Sequence, residues 1–177
     1  MKLKIKIKAE QGCMPTIIAK GDWIDLYCAE DVSIKGPTAT TLKRAGDIRT
    51  RKVEFNRALI SLGVSVVMPK GYEAPVISRS STPSKYGIIL ENSEGLIDNS
   101  YNGPDDIWRF PALAFRDCTI PKHTRIAQFR VQLSQKATLY QRIKNLFYNG
   151  IKLVEIKENN NSNRGGIGIT GTSKIIQ

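Results

Sequence analysis

Between Ser78 and Gly103 the chain reads SRSSTPSKYGIILENSEGLIDNSYNG, and this stretch gathers several side chains able to do chemistry. Arg79-Ser80-Ser81 offers a fixed cation and two hydroxyls, donors suited to the oxygens of a phosphate. Asp98 supplies a carboxylate that can hold a water and accept part of its proton. Tyr101 adds a flat amphipathic ring, and Gly103 ends the unit. The elements that must position these groups are two apolar runs, Tyr86–Leu90 and Leu96–Ile97, separated by the turn-prone Asn92–Gly95. The pattern predicts two strands closed on each other by a tight loop, with Gly95 supplying the backbone freedom of the turn. An anion grip, a backbone-rich hairpin and a carboxylate in one short span suggest a nucleotide site.

The rest of the chain must build the scaffold. Its 177 residues allow one domain with a proper core, not two. An apolar fraction of 41% excludes a disordered chain. No apolar run approaches bilayer length, and MKLKIKIKAE alternates Leu3, Ile5 and Ile7 with lysines, a strand pattern rather than a signal peptide. Cys13, Cys28 and Cys118 are dispersed and odd in number, so no disulfide framework follows and a reducing cytoplasm is expected. With one histidine, His123, and no CxxC, a protein-built zinc site is not expected. The formal charge of +11 is read first as solvated surface and second as a field that steers an anionic substrate. Nucleic-acid binding comes third, because the lysines are spread along the chain and not clustered with aromatics. No membrane association is expected.

Alternation dominates the first two thirds. Lys2–Lys8, Trp23–Ile34, the run marked by Leu62, Val64 and Val66, Phe110–Phe115 and Ile126–Leu133 all read as strands, and Pro69-Lys70-Gly71 reads as a turn. Many short strands broken by Gly and Pro predict an all-β fold, a jelly-roll-like β-barrel. The exception is Leu139–Tyr148, where Leu139, Ile143, Leu146 and Phe147 share one helical face, as expected of a short structural insert packed on the body. A last strand, Ile151–Ile156, precedes Glu158–Asn163, whose sequence ENNNSN has the composition of a flexible linker. Residues 1–158 thus form one domain, with a helical insert near 137–148, and residues 159–177 a flexible C-terminal arm. The arm holds too few large apolar residues to build a core, so it is either disordered or docks on something else.

RSSTPSKYG followed by NSEGLIDNSYNG resembles the second and third motifs of the trimeric dUTP diphosphatases (dUTPases) of phage and bacterial type. GDWIDLYCAED, TRIAQF and RGGIGITG fall where that family keeps its first, fourth and fifth motifs, so the resemblance runs from Asp22 to Gly171. Taken singly, Asp25 is an outward strand aspartate, Arg-Ser-Ser a solvated loop and Tyr101 an ordinary core residue. Their order carries the resemblance.

The resemblance implies hydrolysis of dUTP to dUMP and pyrophosphate, with roles for particular residues. Asp25 would order waters bound to Mg²⁺, although Trp23 stands where the family usually has a small residue. Arg79 would be structural or phosphate-facing, with Ser80 and Ser81 on the phosphate chain. Asn92, Gly95, Leu96 and Ile97 would form a backbone surface that pairs with uracil. Cytosine would leave buried groups unpaired there, at about 1–3 kcal/mol per group. Tyr101 would lie under the deoxyribose and exclude a 2′-hydroxyl. The second acidic residue usual in this motif is absent, since Asn99 and Ser100 occupy the stretch. Asp98 would hold and partly deprotonate the water that attacks the α-phosphorus. A free aspartate titrates near about 3.9, so positioning must supply much of the rate.

Gln128 would contact phosphate, with Arg125 structural. In the arm, Arg164 would reach the γ-phosphate, and Gly165, Gly166 and Gly168 would let backbone approach it. Ile167 replaces the phenylalanine that stacks on uracil, which implies weaker substrate retention. Mg²⁺ would be held mainly by the triphosphate and waters. The implied assembly is a homotrimer whose active sites are shared between subunits, with the arm donated across an interface. A catalytically weakened relative acting as a nucleotide-sensing or protein-binding module is the first alternative. A dCTP deaminase is more distant, since no suitable glutamate lies near TRIAQF.

Overall fold

The computed structural model describes residues 1–43 and 49–165. Leu3, Ile5 and Ile7 face inward while Lys4 and Lys6 face solvent, which makes β1 (Leu3–Ala9) a half-buried strand. There follow β2 (Thr16–Ile17), β3 (Ile24–Tyr27), β4 (Val32–Ile34), β5 (Thr38–Lys43), β6 (Arg49–Glu54), β7 (Arg57–Ser61), β8 (Val64–Val67) and β9 (Tyr72–Ser78). A short helix, α1 (Thr82–Tyr86), leads to β10 (Ile88–Leu90), β11 (Gly95–Asp98), β12 (Arg109–Ala114), β13 (Cys118–Ile120), β14 (Arg125–Phe129) and β15 (Gln132–Leu133). The second helix, α2 (Leu139–Asn145), and β16 (Ile151–Glu155) complete the described elements.

The site is carried by the largest sheet, ordered β11-β9-β14-β3-β2, with β15 also on β9. β1 lies between β16, to which it is parallel, and β8. A third sheet runs β10-β12-β7, and β13-β4 and β5-β6 are separate pairs. The all-β, jelly-roll-like expectation holds. Among the described residues, however, these ladders do not join into one closed barrel. Trp108 and Phe129 meet edge-to-face at 5.0 Å in a core that also takes Ile5, Ile7, Leu26 and Ile60. Among the described residues no helix is long and apolar enough to cross a membrane.

Three local expectations are corrected. The runs around Asn92–Gly95 do form strands, but β10 pairs with β12 and β11 with β9, so the loop crosses from one sheet to another. Two strands this short are marginal when paired only with each other, and each finds a longer partner instead. The left-handed residue of the loop is Ser93, at φ 62°, whose N–H donates to the Leu90 carbonyl at 3.0 Å. Gly95 is extended, and a Cβ there would meet nothing closer than 3.8 Å.

α1 was not legible as a helix. Pro83 stands in its first turn, and Gly87, at φ 66°, ends it by donating to the Pro83 carbonyl at 2.8 Å. α2 forms where expected, opened by a Thr138–Gln141 capping box, but no residue of the helix is buried. Leu139, Leu146 and Phe147 are 73%, 80% and 68% exposed. Polar side chains tether the helix instead: Gln141 Nε2 donates to the Lys70 carbonyl at 2.9 Å, and Tyr72 Oη to Asn145 Oδ1 at 2.9 Å.

Candidate active site

β3 is buried along Ile24, Asp25 and Leu26, so Asp25 is an interior residue, 3% exposed, rather than an outward one. A carboxylate without partners would be costly to bury at such a position. Two guanidinium groups meet it: Arg79 Nε donates to Oδ1 at 2.9 Å and Arg125 Nη1 to Oδ2 at 3.1 Å. Gln128 stands directly opposite Asp25 across the β14–β3 ladder, on the same face. Strict alternation would send Arg125 and Gln128, three residues apart, to opposite faces. A register break between Arg125 and Ala127 lets both face Asp25. The ion pair therefore ties β3, β14 and the end of β9 together.

Ser80 and Ser81 follow Arg79 and are exposed, and the Ser81 hydroxyl makes no capping bond to α1. Their loop is anchored on both sides, by Arg79 N–H to the Ile126 carbonyl at 3.2 Å and Thr82 Oγ1 to the same oxygen at 2.8 Å. Asp25, Arg79, Ser80, Ser81, Arg125 and Gln128 thus form one cluster with free hydroxyls and an amide at its surface.

β11 is an edge strand, so one row of its backbone N–H and C=O groups is left unpaired among the described residues. Leu96 points outward at 68% exposure and Ile97 packs against the core. Asn92 lies exposed in the loop beside Gly95.

Asp98 closes β11. Its Oδ1 accepts from the Ser100 N–H at 2.8 Å and the Ser100 hydroxyl at 2.5 Å, and Arg164 Nη1 lies 3.3 Å from Oδ2. Partial burial pushes the Asp98 carboxyl up, but the two Ser100 bonds and the charges of Arg164 and Lys136 outweigh it, and the net position is below the ordinary value. Tyr101 packs against the core and donates to the Ile107 carbonyl at 3.1 Å. Burial, reinforced by Asp106, raises its phenol, so the ring is neutral and stays a donor at neutral pH.

Sequence reasoning missed Ser100 as a partner of Asp98, although an aspartate two residues before a serine is an Asx-turn signal. It also missed the anchoring of the arm. The ENNNSN segment is a docked strap: Asn159 is buried and donates to Ser65 Oγ at 3.1 Å and the Asn102 carbonyl at 2.7 Å. Asn163 accepts from the Asp105 N–H at 2.9 Å and donates to its carboxylate at 2.7 Å. The linker reading is thereby corrected up to Gly165. Composition could not reveal this, because an asparagine amide satisfies water and a folded loop equally well. Gly166, Ile167 and Gly168 lie outside the described residues.

The two clusters do not come together in one chain. Asp98 stands opposite Glu73 at the start of β9, whereas Arg79 follows its end. Six residues at the rise of a strand put them ~20 Å apart. Gln128 sits with Arg79, opposite Ile77, and Arg164 sits with Asp98. The Arg79–Ser81 loop and the Asp98 carboxylate, close in sequence, lie in two separate clusters.

The sequence profile of the dUTPase family matches residues 24–149. The SPβ prophage-derived deoxyuridine 5′-triphosphate nucleotidohydrolase YosS of Bacillus subtilis (strain 168) is 41% identical over 172 residues, covering 97% of this chain and 99% of that protein. A deoxyuridine 5′-triphosphate nucleotidohydrolase of Hydrogenobaculum is 30% identical over 174 residues, again covering 97% and 99%. Among solved structures, the dUTPase of Streptococcus mutans matches with a TM-score of 0.58 at 21% identity, over 74% of this chain and 93% of that one. A dUTPase from phage phi11 of S. aureus, described with a structural Mg(II) ion, gives 0.57 at 17% identity, over 76% and 94%. The two structures share the fold. The chain belongs to the dUTPase family and is a nucleotidohydrolase of the dUTP diphosphatase class.

Proposed function

We propose that this chain hydrolyses dUTP to dUMP and pyrophosphate in active sites assembled from more than one copy, within a homotrimer. The observation that carries the reading is the separation of the two clusters, half-sites in this reading. A carboxylate ~20 Å from the anion grip cannot aim water at a phosphate held there, which supports a grip supplied by another subunit. Symmetric closure of identical chains supplies that arrangement at each site.

In this reading the unpaired edge of β11 offers its N–H and C=O groups to uracil. Gly95 is required neither by its backbone conformation nor by protein packing, since an added Cβ would make only ordinary contacts at 3.8 Å, and its bare backbone suits the close approach of a base. Asn92, Leu96 and Ile97 frame that edge. Tyr101, fixed by its bond to Ile107, supports the sugar. Ser80, Ser81 and Gln128 of another subunit bind the phosphates, while Arg79, committed to Asp25, fixes their loop. Arg164 takes the terminal phosphate, with the backbone of Gly165 and, in the remainder of the arm, Gly166, Ile167 and Gly168.

Asp98 holds the attacking water at Oδ2, since Ser100 occupies Oδ1. The water oxygen bonds to the α-phosphorus as the bond from that phosphorus to the bridging oxygen breaks, and pyrophosphate leaves in line. The proton passes to Asp98 and then to solvent.

Mg²⁺ fits this donor set only through water. No three His, Cys, Asp or Glu side chains cluster among the described residues, and both Asp25 oxygens already meet arginines. Each retains a lone pair able to accept from a metal-bound water. When bound, the ion would neutralise charge on the phosphate oxygens. The free, dispersed Cys13, Cys28 and Cys118 suit a cytoplasmic setting for the reaction.

The test is pyrophosphate release with dUTP, dCTP and dTTP. Release from dUTP alone supports the reading. Ammonia from dCTP points to a deaminase, and silence with tight dUTP binding to a sensing module.

A further inference from the structure

Asp106 is 2% exposed, yet among the described residues no lysine or arginine side chain pairs with it. Its partners are backbone N–H groups. Oδ2 accepts from Gly103 at 2.9 Å and from Arg164 at 2.9 Å, and Oδ1 accepts from Gly165 at 3.2 Å. A buried carboxylate is costly unless strong donors meet its oxygens, and three aimed amides do so. Gly103 ends the segment that carries Asp98 and Tyr101. Arg164 and Gly165 begin the glycine-rich arm. One side chain therefore joins two segments that are remote in sequence.

The register of that junction is also fixed. Asn159, Asn161 and Asn163, at alternate positions, bond to Asn102, Asn102 and Asp105 in turn. A side chain at Gly103 would run into Asn163, so the strap lies flat on the loop. A slip by one residue would turn these asparagines away and shift Arg164 by ~3.3 Å along the strap. The guanidinium beside Asp98 would then be lost.

We propose that Asp106 is a positioning residue for dUTP turnover: by stapling the arm to the loop at Gly103 it fixes where Arg164 stands relative to Asp98. The inference rests on the reading of Arg164 as a ligand of the terminal phosphate. The docking of the arm root on the chain that carries Asp98 departs from the donation across an interface that the resemblance implies: here one chain supplies base and arm root and another the Arg79–Ser81 grip.

The test compares the full-length protein with its Asp106→Asn variant, in which one acceptor oxygen becomes an amide that faces an N–H. Two readouts are needed. Trypsin cleavage after Arg164, followed by mass spectrometry of the released 165–174 peptide, should run about tenfold faster in the variant, because the docked strap now opens. The KM for dUTP should rise about tenfold with a smaller change in kcat, while inhibition by dUMP, which lacks the terminal phosphates, stays within about twofold.

Should Asp106→Asn fail to fold, the exposed Asn163→Ala must show the same pair of effects. An unchanged cleavage rate overturns the proposal. So does faster cleavage with unchanged KM, or a loss that weakens dUMP as much as dUTP. If the unmodified protein does not hydrolyse dUTP, the functional reading fails, and the cleavage comparison alone decides whether Asp106 holds the arm.

Discussion

Arg164 and Asp98 share a direct contact, Nη1 to Oδ2 at 3.3 Å, so the cation assigned to a phosphate rests on the oxygen assigned to the water. A triphosphate that draws the guanidinium away frees that oxygen at the moment it is needed. Replacing Asp98 by Asn preserves shape and the Ser100 bonds but removes the proton acceptor. Turnover should fall about a thousandfold. Nucleotide affinity, measured by calorimetric titration with a non-hydrolysable dUTP analogue, should be nearly unchanged. A variant that stays active would show that the base lies elsewhere.

The same carboxylate sets an expected pH dependence. Its folded value lies below the unfolded one, because Ser100 and Arg164 outweigh the effect of burial. The associated stabilisation is therefore present above the unfolded value and lost as pH falls through the lower folded value. It is small, since the side chain is 52% exposed. For activity, the acid limb of kcat/KM should sit below the ordinary aspartate range. Ser100→Ala and Arg164→Ala should each move that limb upward, in pH–rate profiles taken on all three proteins. A limb that moves downward, or stays in place in both variants, would detach it from Asp98.

Asp25 is held by two arginines in a nearly dry position, and its loss would leave both cations without a partner. Asp25→Asn should lower unfolding stability by about 2 kcal/mol, the reduced figure reflecting the partial exposure of Arg79 and Arg125. Chemical denaturation with an unchanged m-value would check this. A variant as stable as the parent would show that the cluster is not a structural tie between β3, β14 and β9.

The separation of half-sites makes a complementation experiment decisive. Asp98→Asn disables one half and Ser80→Glu, which repels the triphosphate, disables the other. Each alone should be inactive. Subunits mixed in equal amounts under denaturing conditions and refolded together should recover about a quarter of the parental activity, because a quarter of the sites draw both halves from intact segments. No recovery would mean that base and grip come from the same chain.

Much of the site was legible in sequence because its signals are local. Arg79, Ser80, Asp98 and Tyr101 stood out through the spacing of short motifs, and β1, β8 and β14 through period-two alternation. α1 escaped notice because five residues carry too little periodicity, although Pro83 and Gly87 marked its ends. The exposed stripe of α2 was read as a packed face because amphipathicity shows which side is apolar and not whether anything covers it. Asn159, Asn161 and Asn163 passed for linker because polar side chains do not announce their partners.

By itself, then, the sequence determined many of the strands, the order of the motifs and the dUTPase family. All of these are properties of neighbouring residues. Only the tertiary structure decided that β10 and β11 join different sheets, that Asp25 is buried between Arg79 and Arg125, that Asp106 receives the root of the arm, and that Asp98 and Arg79 stand at opposite ends of β9. Those outcomes depend on which distant edge or amide each group finds, and nearness along the chain does not measure distance along a strand.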